Sequence, residues 1–131
     1  MREKRRASEL TVVCKTKMQS IQDAMDLLGG KWKIRIIGTL SFGAFYFMSL
    51  QRQVGGIGSK MLSKELQELE VNGLVKRIVH DTKPITVHYE LTAYGKTIIP
   101  IIDEIANWGG SHRARIFEKQ LLNPGPGGQL R

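Results

Sequence analysis

Residues 57–77 read IGSKMLSKELQELEVNGLVKR, and this stretch decides the fold. Leucines recur in it at spacings of four and three residues, which places them on one face of an α-helix: Leu62, Leu66 and Leu69. Either Gly58 or Ser59 can serve as the N-cap, and the Asn-Gly pair at 72–73 is a typical helix stop. The pattern therefore predicts a helix over residues 60–71 with one buried face.

The face opposite the leucines is polar, and its cations lie in the N-terminal half of the helix. Its side chains are Lys60, Ser63, Lys64 and Gln67, with Ser59 at the start of the helix. Three glutamates lie off this strip: Glu65, Glu68 and Glu70. A face of this kind is either an ordinary solvated surface or a surface that contacts nucleic acid. The elements on either side of the helix favour the second interpretation.

Three helical segments come before the central helix. Apolar spacing predicts a helix over residues 17–28, which ends at the two glycines 29–30, and a second helix over residues 31–40. A short helical segment at 48–54 follows. The glycine pair at 55–56 then makes a tight turn into the central helix.

Two strands and a long helix come after the central helix. Residues 74–80 and 86–91 are rich in β-branched side chains, and a polar turn at 81–84 joins them in a hairpin. A C-terminal helix follows the cap residue Thr92 and is kinked at Pro100. This order predicts a mainly α fold with a small β-hairpin wing (α+β). The architecture that we expect is a winged helix-turn-helix with N- and C-terminal dimerisation helices.

Double-stranded DNA is the partner that this architecture predicts, and further cations are candidates to contact the phosphate backbone. In the wing they are Lys76, Arg77, Lys83 and His88. Two cations on the helices are further candidates to contact the DNA backbone. They are Arg52 on the first helix of the motif and Lys31 at the start of the second helix of the chain. For each of them, simple exposure to solvent is the alternative.

The overall charge agrees with a polyanionic partner. Twenty Lys and Arg against twelve Asp and Glu give a formal net charge of +8. No apolar run reaches membrane-spanning length and no signal-peptide core follows the charged N-terminus, so we expect a cytoplasmic protein without a membrane partner. No catalytic constellation or set of metal ligands is recognisable, so we expect no enzyme, no cofactor and no metal.

The length fits one domain. We expect a basic arm at residues 1–13, a winged helix domain at 14–122 and a disordered tail at 123–131. The last helix is rich in isoleucine: Ile98, Ile99, Ile101, Ile102 and Ile105. We expect one stripe on it, formed by Ile98, Ile102 and Ile105. That stripe, together with the segment 10–25, either pairs two subunits in a homodimer or is covered within the monomer.

Several motifs between residues 14 and 109 have a distinctive combined spacing. They are LGGKW at 28–32, F-x-x-L at 47–50, GI-x-x-x-ML-x-x-x-L-x-x-LE-x-x-GLV-x-R at 56–77, Y-x-L-T-x-x-G at 89–95 and WG at 108–109. Together they resemble the HxlR family of bacterial transcriptional regulators. The resemblance implies a dimeric winged helix that binds a palindromic operator, and in some members a cysteine near the N-terminus that senses oxidants or electrophiles.

The sequence departs from the family pattern at several positions. Gly58 stands where a serine is usual in the turn, and other differences occur at Lys15, Tyr46, Ser49, Thr86 and His88. These changes leave the scaffold intact and alter the helix cap and the wing, where we expect the operator contacts to differ. The alternative function is a winged helix used for protein interaction alone, which would be expected to lose cations such as Lys60 and Lys64.

Cys14 is the single cysteine of the chain. Lys15 and Lys17 beside it favour the reactive thiolate, and a dimer would bring two copies together for a disulfide if the geometry allowed it. The alternative is a small buried apolar residue. The sequence specifies neither another effector nor the direction of regulation.

Overall fold

The computed structural model describes residues 2–122, so the disordered tail predicted at 123–131 lies outside the described residues. Over this range the chain forms six helices and a three-stranded antiparallel sheet. The elements are α1 (Arg2–Leu28), α2 (Lys33–Leu40), β1 (Phe45–Tyr46), α3 (Phe47–Val54), α4 (Ser59–Val71), β2 (Val75–His80), β3 (Thr86–Leu91), α5 (Ala93–Lys96) and α6 (Ile99–Leu122). The predicted fold class, a mainly α winged helix with a small hairpin, is confirmed.

The core lies where α2, α3 and α4 meet the base of the wing. The predicted leucine face of α4 is confirmed, because Leu62, Leu66 and Leu69 are all buried. Each buried leucine contributes about 2 kcal/mol of hydrophobic free energy. The other fully buried side chains come from α2, α3 and the start of the wing: Ile36, Ile37, Leu50, Leu74 and Val75. This core fixes α4 with its opposite face in solvent.

The first helix is much longer than predicted. It begins at Arg2, so the start predicted near Lys17 is wrong, and the end of the expected basic arm at residue 13 falls inside α1. Residues 2–13 contain neither glycine nor proline, and most of them have good helix propensity. The apolar periodicity used for the prediction misses such a segment because it reports only a helix face that packs against a core.

The wing is a β2–β3 hairpin to which a third strand is added. Lys76 on β2 pairs with Glu90 on β3, and the register continues along both strands. The two residues of β1 pair with β3 as well, which gives the strand order β1-β3-β2. The sequence did not predict β1, because two residues are too few to show an alternating pattern.

The C-terminal region forms two helices where one kinked helix was predicted. The chain leaves α5 after Lys96, and α6 begins at Ile99, so Pro100 lies in the first turn of α6. A proline is tolerated there because the first-turn N–H groups have no intrahelical partner. The predicted cap is confirmed: the Thr92 hydroxyl accepts a hydrogen bond from the Gly95 N–H at 2.9 Å.

The isoleucines of this region are divided differently from the predicted stripe. Three of them are partly buried against the core: Ile98, Ile99 and Ile102. Ile101 and Ile105 are about half exposed. The prediction that Ile98, Ile102 and Ile105 share one exposed stripe is therefore wrong, because the break before α6 changes the phase of the helix. Among residues 2–122, no helix is long and apolar enough to cross a membrane.

We predict that Gly95→Ala strongly destabilises the fold. A Cβ atom at residue 95 would lie 2.0 Å from the carbonyl oxygen of Leu74, a backbone atom that is itself bonded to the Thr92 N–H at 3.0 Å. Overpacking of this kind should lower the free energy of unfolding by about 2–3 kcal/mol, measured by urea denaturation.

The matched control is Gly38→Ala in α2. A Cβ there would meet only Cγ2 of Ile102 at 3.7 Å, which is an ordinary contact. The higher helix propensity of alanine should leave stability unchanged or raise it by up to about 1 kcal/mol. Equal stabilities for the two variants would contradict the close packing of α5 on Leu74.

Candidate nucleic-acid interface

A turn of two glycines joins α3 to α4. Gly55 and Gly56 have φ angles of 75° and 73°, a left-handed conformation that glycine adopts without strain. The guanidinium of Arg35 on α2 donates from Nη2 to the carbonyl oxygen of Val54 at 2.6 Å and to that of Gly55 at 3.4 Å. These bonds satisfy carbonyls that the end of α3 leaves without partners. The turn is thereby tied to α2.

A second set of hydrogen bonds closes the turn from the other side. The side-chain amide of Gln51 on α3 donates to the carbonyl oxygen of Ile57 at 3.0 Å. The Ser59 hydroxyl donates to the amide oxygen of Gln51 at 3.3 Å. Ser59, a predicted DNA contact, is therefore also part of the clamp that sets the start of α4.

Gly58 is the N-cap of α4, which decides between the two cap residues that the sequence allowed. Its backbone is extended, and no side chain caps the first turn. The Gly58 carbonyl accepts the first intrahelical bond, from the Leu62 N–H at 2.9 Å. The uncapped N–H groups of the first turn give this end of α4 a partial positive charge next to Lys60.

The outward face of α4 contains the predicted polar strip. All four side chains are exposed: Lys60, Ser63, Lys64 and Gln67. Among the side chains of residues 11–122, none of the four makes a hydrogen bond or an ion pair, so both ammonium groups are available to an outside anion. The strip lies opposite the buried leucines, as the helical wheel predicted.

Two of the three acidic side chains of α4, Glu65 and Glu68, are held on a different flank by Lys33. The Lys33 ammonium lies 2.6 Å from a carboxylate oxygen of Glu65 and 2.5 Å from one of Glu68, and its side chain is only 11% exposed. Burial alone would lower the pKa of Lys33, but hydrogen bonds to Glu65 and Glu68 outweigh this effect and raise the pKa. The bond from Lys33 lowers the pKa of Glu68. One positive charge thus offsets part of the two negative charges and holds both carboxylates off the outward strip.

The wing presents its predicted cations on two faces. Lys76 and Arg77 are neighbours on β2, so their side chains point to opposite faces of the sheet. The Lys76 ammonium forms an ion pair with Glu90 at 3.0 Å, and this bond lowers the pKa of Glu90. Arg77 is exposed, and Lys83 is exposed in the hairpin loop. One wing face therefore has its lysine partly neutralised, while Arg77 keeps its charge on the other.

Two further predicted cations lie on the helices. Arg52 is exposed on α3, where its guanidinium donates to the Ser49 hydroxyl at 3.4 Å. Lys31 precedes α2, and its ammonium lies 4.8 Å from the ring centroid of Trp32. Arg52 and the α4 strip thus belong to the two helices of the helix-turn-helix, whereas Lys31 lies beside Trp32.

Three residues that organise this site were not identified from the sequence: Lys33, Arg35 and Gln51. The sequence did contain a signal for Lys33. Two glutamates three residues apart lie on one flank of α4, and their mutual repulsion is relieved when a cation lies nearby. The sequence contains no such signal for Arg35 or Gln51, because their hydrogen-bond acceptors are backbone carbonyls that only the packing of the helices brings close.

Cys14 lies exposed on α1, so the alternative of a buried apolar residue does not hold within this chain. Met18, Ile21 and Met25 follow it at spacings of four, seven and eleven residues and are also exposed. On a helix these spacings fall on one face. The thiol therefore belongs to an exposed apolar face of α1.

Comparison with known proteins connects this geometry to a family. Residues 27–117 match the HxlR-like helix-turn-helix family. The chain is 37% identical over 111 residues to YtcD of Bacillus subtilis (strain 168), an uncharacterized HTH-type transcriptional regulator, with 79% of this chain and 88% of YtcD covered. An uncharacterized HTH-type transcriptional regulator of Methanothermobacter thermautotrophicus is 40% identical over 103 residues, with 76% and 79% covered. The solved structure of the redox regulator HypR in its reduced form matches with a TM-score of 0.71 at 33% identity, over 76% of this chain and 98% of that one.

We predict that Lys33→Met destabilises the protein by about 1–3 kcal/mol, because it leaves two carboxylates side by side without their cation. Urea denaturation at neutral pH measures the loss. Lys64→Met on the exposed strip removes the same charge and should change the free energy of unfolding by less than about 0.5 kcal/mol.

The pH dependence of stability should change in the same variant. Because the pKa of Glu68 lies below its ordinary 4.5 in the folded state, its contribution is complete above that value and is lost as the pH falls through the lowered pKa. Lys33→Met should therefore lose less stability than the native protein between about pH 6 and about pH 3. Parallel pH profiles for the two proteins would show that the ion pairs do not stabilise the fold.

Proposed function

Because the chain belongs to the HxlR-like helix-turn-helix family of transcriptional regulators, we propose that it binds a palindromic DNA operator as a homodimer, with α4 in the major groove. The observation that carries this proposal is the sorting of charge on α4. Lysines that make no hydrogen bond or ion pair with the described side chains occupy its outward face, while Glu65 and Glu68 are bound to Lys33. A helix with this division can approach phosphates and base edges with Lys60 and Lys64 while Glu65 and Glu68 stay on another flank.

The roles of the individual side chains follow from their chemistry. Lys60 and Lys64 would contact phosphates or guanine, Gln67 an adenine edge, and Ser63 either a base or a phosphate. Ser59 would present its hydroxyl at the start of the helix. The remaining cations would position the protein on the backbone without specifying sequence: Lys31, Arg52, Lys76, Arg77 and Lys83. Among these, Lys76 would have to leave Glu90 to reach a phosphate.

The homodimer is supported by apolar surface on the two long helices. On α6, Ile101, Ile105 and Trp108 recur at spacings of four and three residues and are 50%, 49% and 70% exposed. The exposed face of α1 carries Met18, Ile21 and Met25. Surfaces of this kind usually mark an interface. A two-fold axis would set two α4 helices one DNA turn apart or a multiple of it, about 34 Å.

Regulation of DNA binding by oxidation at Cys14 is a finer part of the proposal. Cys14 lies on the same helical face as the α1 apolar residues, so pairing of those faces would bring two copies of the thiol near the symmetry axis. The similarity to HypR, described as a redox regulator, points in the same direction. A diamide-treated dimer would lose two protons and two electrons from its two thiols and gain one intersubunit S–S bond.

The second candidate function is a winged helix that binds only proteins. The exposed lysines of α4, Lys60 and Lys64, argue against it, because such a module would be expected to lose them. Relatives named as transcriptional regulators favour regulation over catalysis. We place the protein in the cytoplasm, where its DNA target would be accessible, and the site as described calls for no metal or cofactor.

We predict that Lys60→Ala/Lys64→Ala lowers affinity for DNA flanking the protein's own gene at least about tenfold. Loss of two phosphate contacts should also reduce the slope of log K against log salt concentration by about 2. Fluorescence anisotropy across a salt series measures both quantities.

The control variant Lys96→Ala/Lys119→Ala removes two exposed lysines from α5 and α6, so it has the same net charge. Its affinity and its salt slope should remain close to the native values. If both double variants bind like the native protein, α4 is not the DNA-contacting helix.

We further predict that diamide weakens DNA binding by the native protein and leaves Cys14→Ser unaffected. A non-reducing gel should show a covalent dimer for the native protein alone, and a thiol reductant should reverse it. Unchanged affinity of the native protein in diamide would remove oxidation sensing from the proposal.

A further inference from the structure

An open groove lies between α2, α3 and β1, away from the outward face of α4 and from the apolar faces of α1 and α6. Its volume is about 740 Å³. Phe42, Phe45 and Val54 supply apolar walls, and Arg35 and Gln53 supply polar groups. No acidic side chain lines it among the described residues. The groove is thus apolar with a single cation in its wall.

The guanidinium in this wall has unused hydrogen-bonding capacity. Both of its protein acceptors, the carbonyl oxygens of Val54 and Gly55, are bonded through Nη2. Among residues 11–122, Nη1 and Nε of Arg35 have no acceptor, and the guanidinium lies over the Trp32 ring with its central carbon 4.9 Å from the ring centroid. A guanidinium presents five N–H donors in a planar fork that matches a carboxylate.

We propose that this groove binds a small carboxylate with an apolar body. The carboxylate would pair with the Nη1–Nη2 edge of Arg35, where Nη2 is shared with the carbonyls of Val54 and Gly55, and the apolar body would lie against Phe42 and Phe45. Phe42 is 88% exposed and would lose exposed area on binding. Charge complementarity and apolar burial would then act on one molecule.

The position of Arg35 gives this ligand a route to the DNA-binding helix. The same guanidinium holds the turn that sets the start of α4, so a carboxylate would compete with the carbonyls of Val54 and Gly55. Binding would loosen the turn and lower DNA affinity, and DNA would lower carboxylate affinity by the same factor. This regulatory part rests on the proposed function, whereas the binding site does not.

Titration with benzoate tests the site without DNA. Trp32 lies against Arg35, so a Trp108→Phe background leaves a single indole beside the groove as a fluorescence reporter. Benzoate should bind with a Kd of about 1 mM, as expected for a ligand of this size. Benzamide has the same shape without the charge and should bind at least about tenfold more weakly. Equal binding of benzoate and benzamide, or no binding of either, overturns the site.

Two variants place the ligand in the groove. Phe42→Ala removes an exposed side chain that cannot be needed for the core, and it should weaken benzoate binding at least about threefold. Arg35→Lys keeps the charge but loses the fork and should weaken binding at least about tenfold. Arg52→Lys is the control on α3, outside the groove, and should bind benzoate normally. Native affinity in both Phe42→Ala and Arg35→Lys would overturn the assignment.

Measuring DNA binding with and without benzoate tests the effect of the ligand on DNA affinity separately from the existence of the carboxylate site. Sodium benzoate at saturating concentration should weaken DNA binding at least about threefold relative to sodium chloride at the same ionic strength. If benzoate binds and DNA affinity is unchanged, the regulatory part is overturned. If the protein binds no DNA even without benzoate, the proposed function fails, and the fluorescence titration still decides the site.

Discussion

The proposed DNA-binding surface depends on one ammonium group, that of Lys33, which is held between two carboxylates of α4. Glu65 and Glu68 would otherwise leave the helix with an acidic flank next to its lysines. Pairing them with a cation from α2 offsets half of that negative charge and also helps to fix the rotation of α4 about its axis. The leucine face packs against the core, and the remaining face is left with positive charge. Packing and electrostatics thus specify the same orientation of the helix.

The entry into α4 depends on a second set of polar contacts. Arg35 and Gln51 bind the backbone on the two sides of the glycine turn, so the angle between α3 and α4 is set by side chains of α2 and α3. Gly58 as N-cap contributes no side-chain bond of its own. The geometry of the helix start therefore depends on this clamp more than on the cap. A ligand that takes the guanidinium of Arg35 would act at the point where α4 is positioned.

Prediction from sequence succeeded for elements whose secondary structure is visible in the local spacing of their apolar residues. The leucine spacing of α4 depends on burial of one face, and the helix was found from it. β3 was found from its alternating, β-branched sequence, although its side chains are partly buried on both faces. The early start of α1, the two-residue β1 and the break before α6 were missed, since none of them shows a packed periodic face. The outward residues of α4 were found by elimination from the leucine face. Lys33 and Arg35 were missed because their partners are 35 and 19 residues away in sequence.

The central claim, that the outward face of α4 enters the major groove, is tested most directly by DNA cleavage from a tethered iron chelate. In a Cys14→Ser background, Ser63→Cys gives a unique attachment point on α4, and Glu118→Cys gives one on α6. A chelate at residue 63 should cut operator DNA in two narrow windows, one in each half-site, about one helical turn or a multiple apart. The chelate at residue 118 should give little cleavage. Strong cleavage from residue 118 with none from residue 63 would contradict the account.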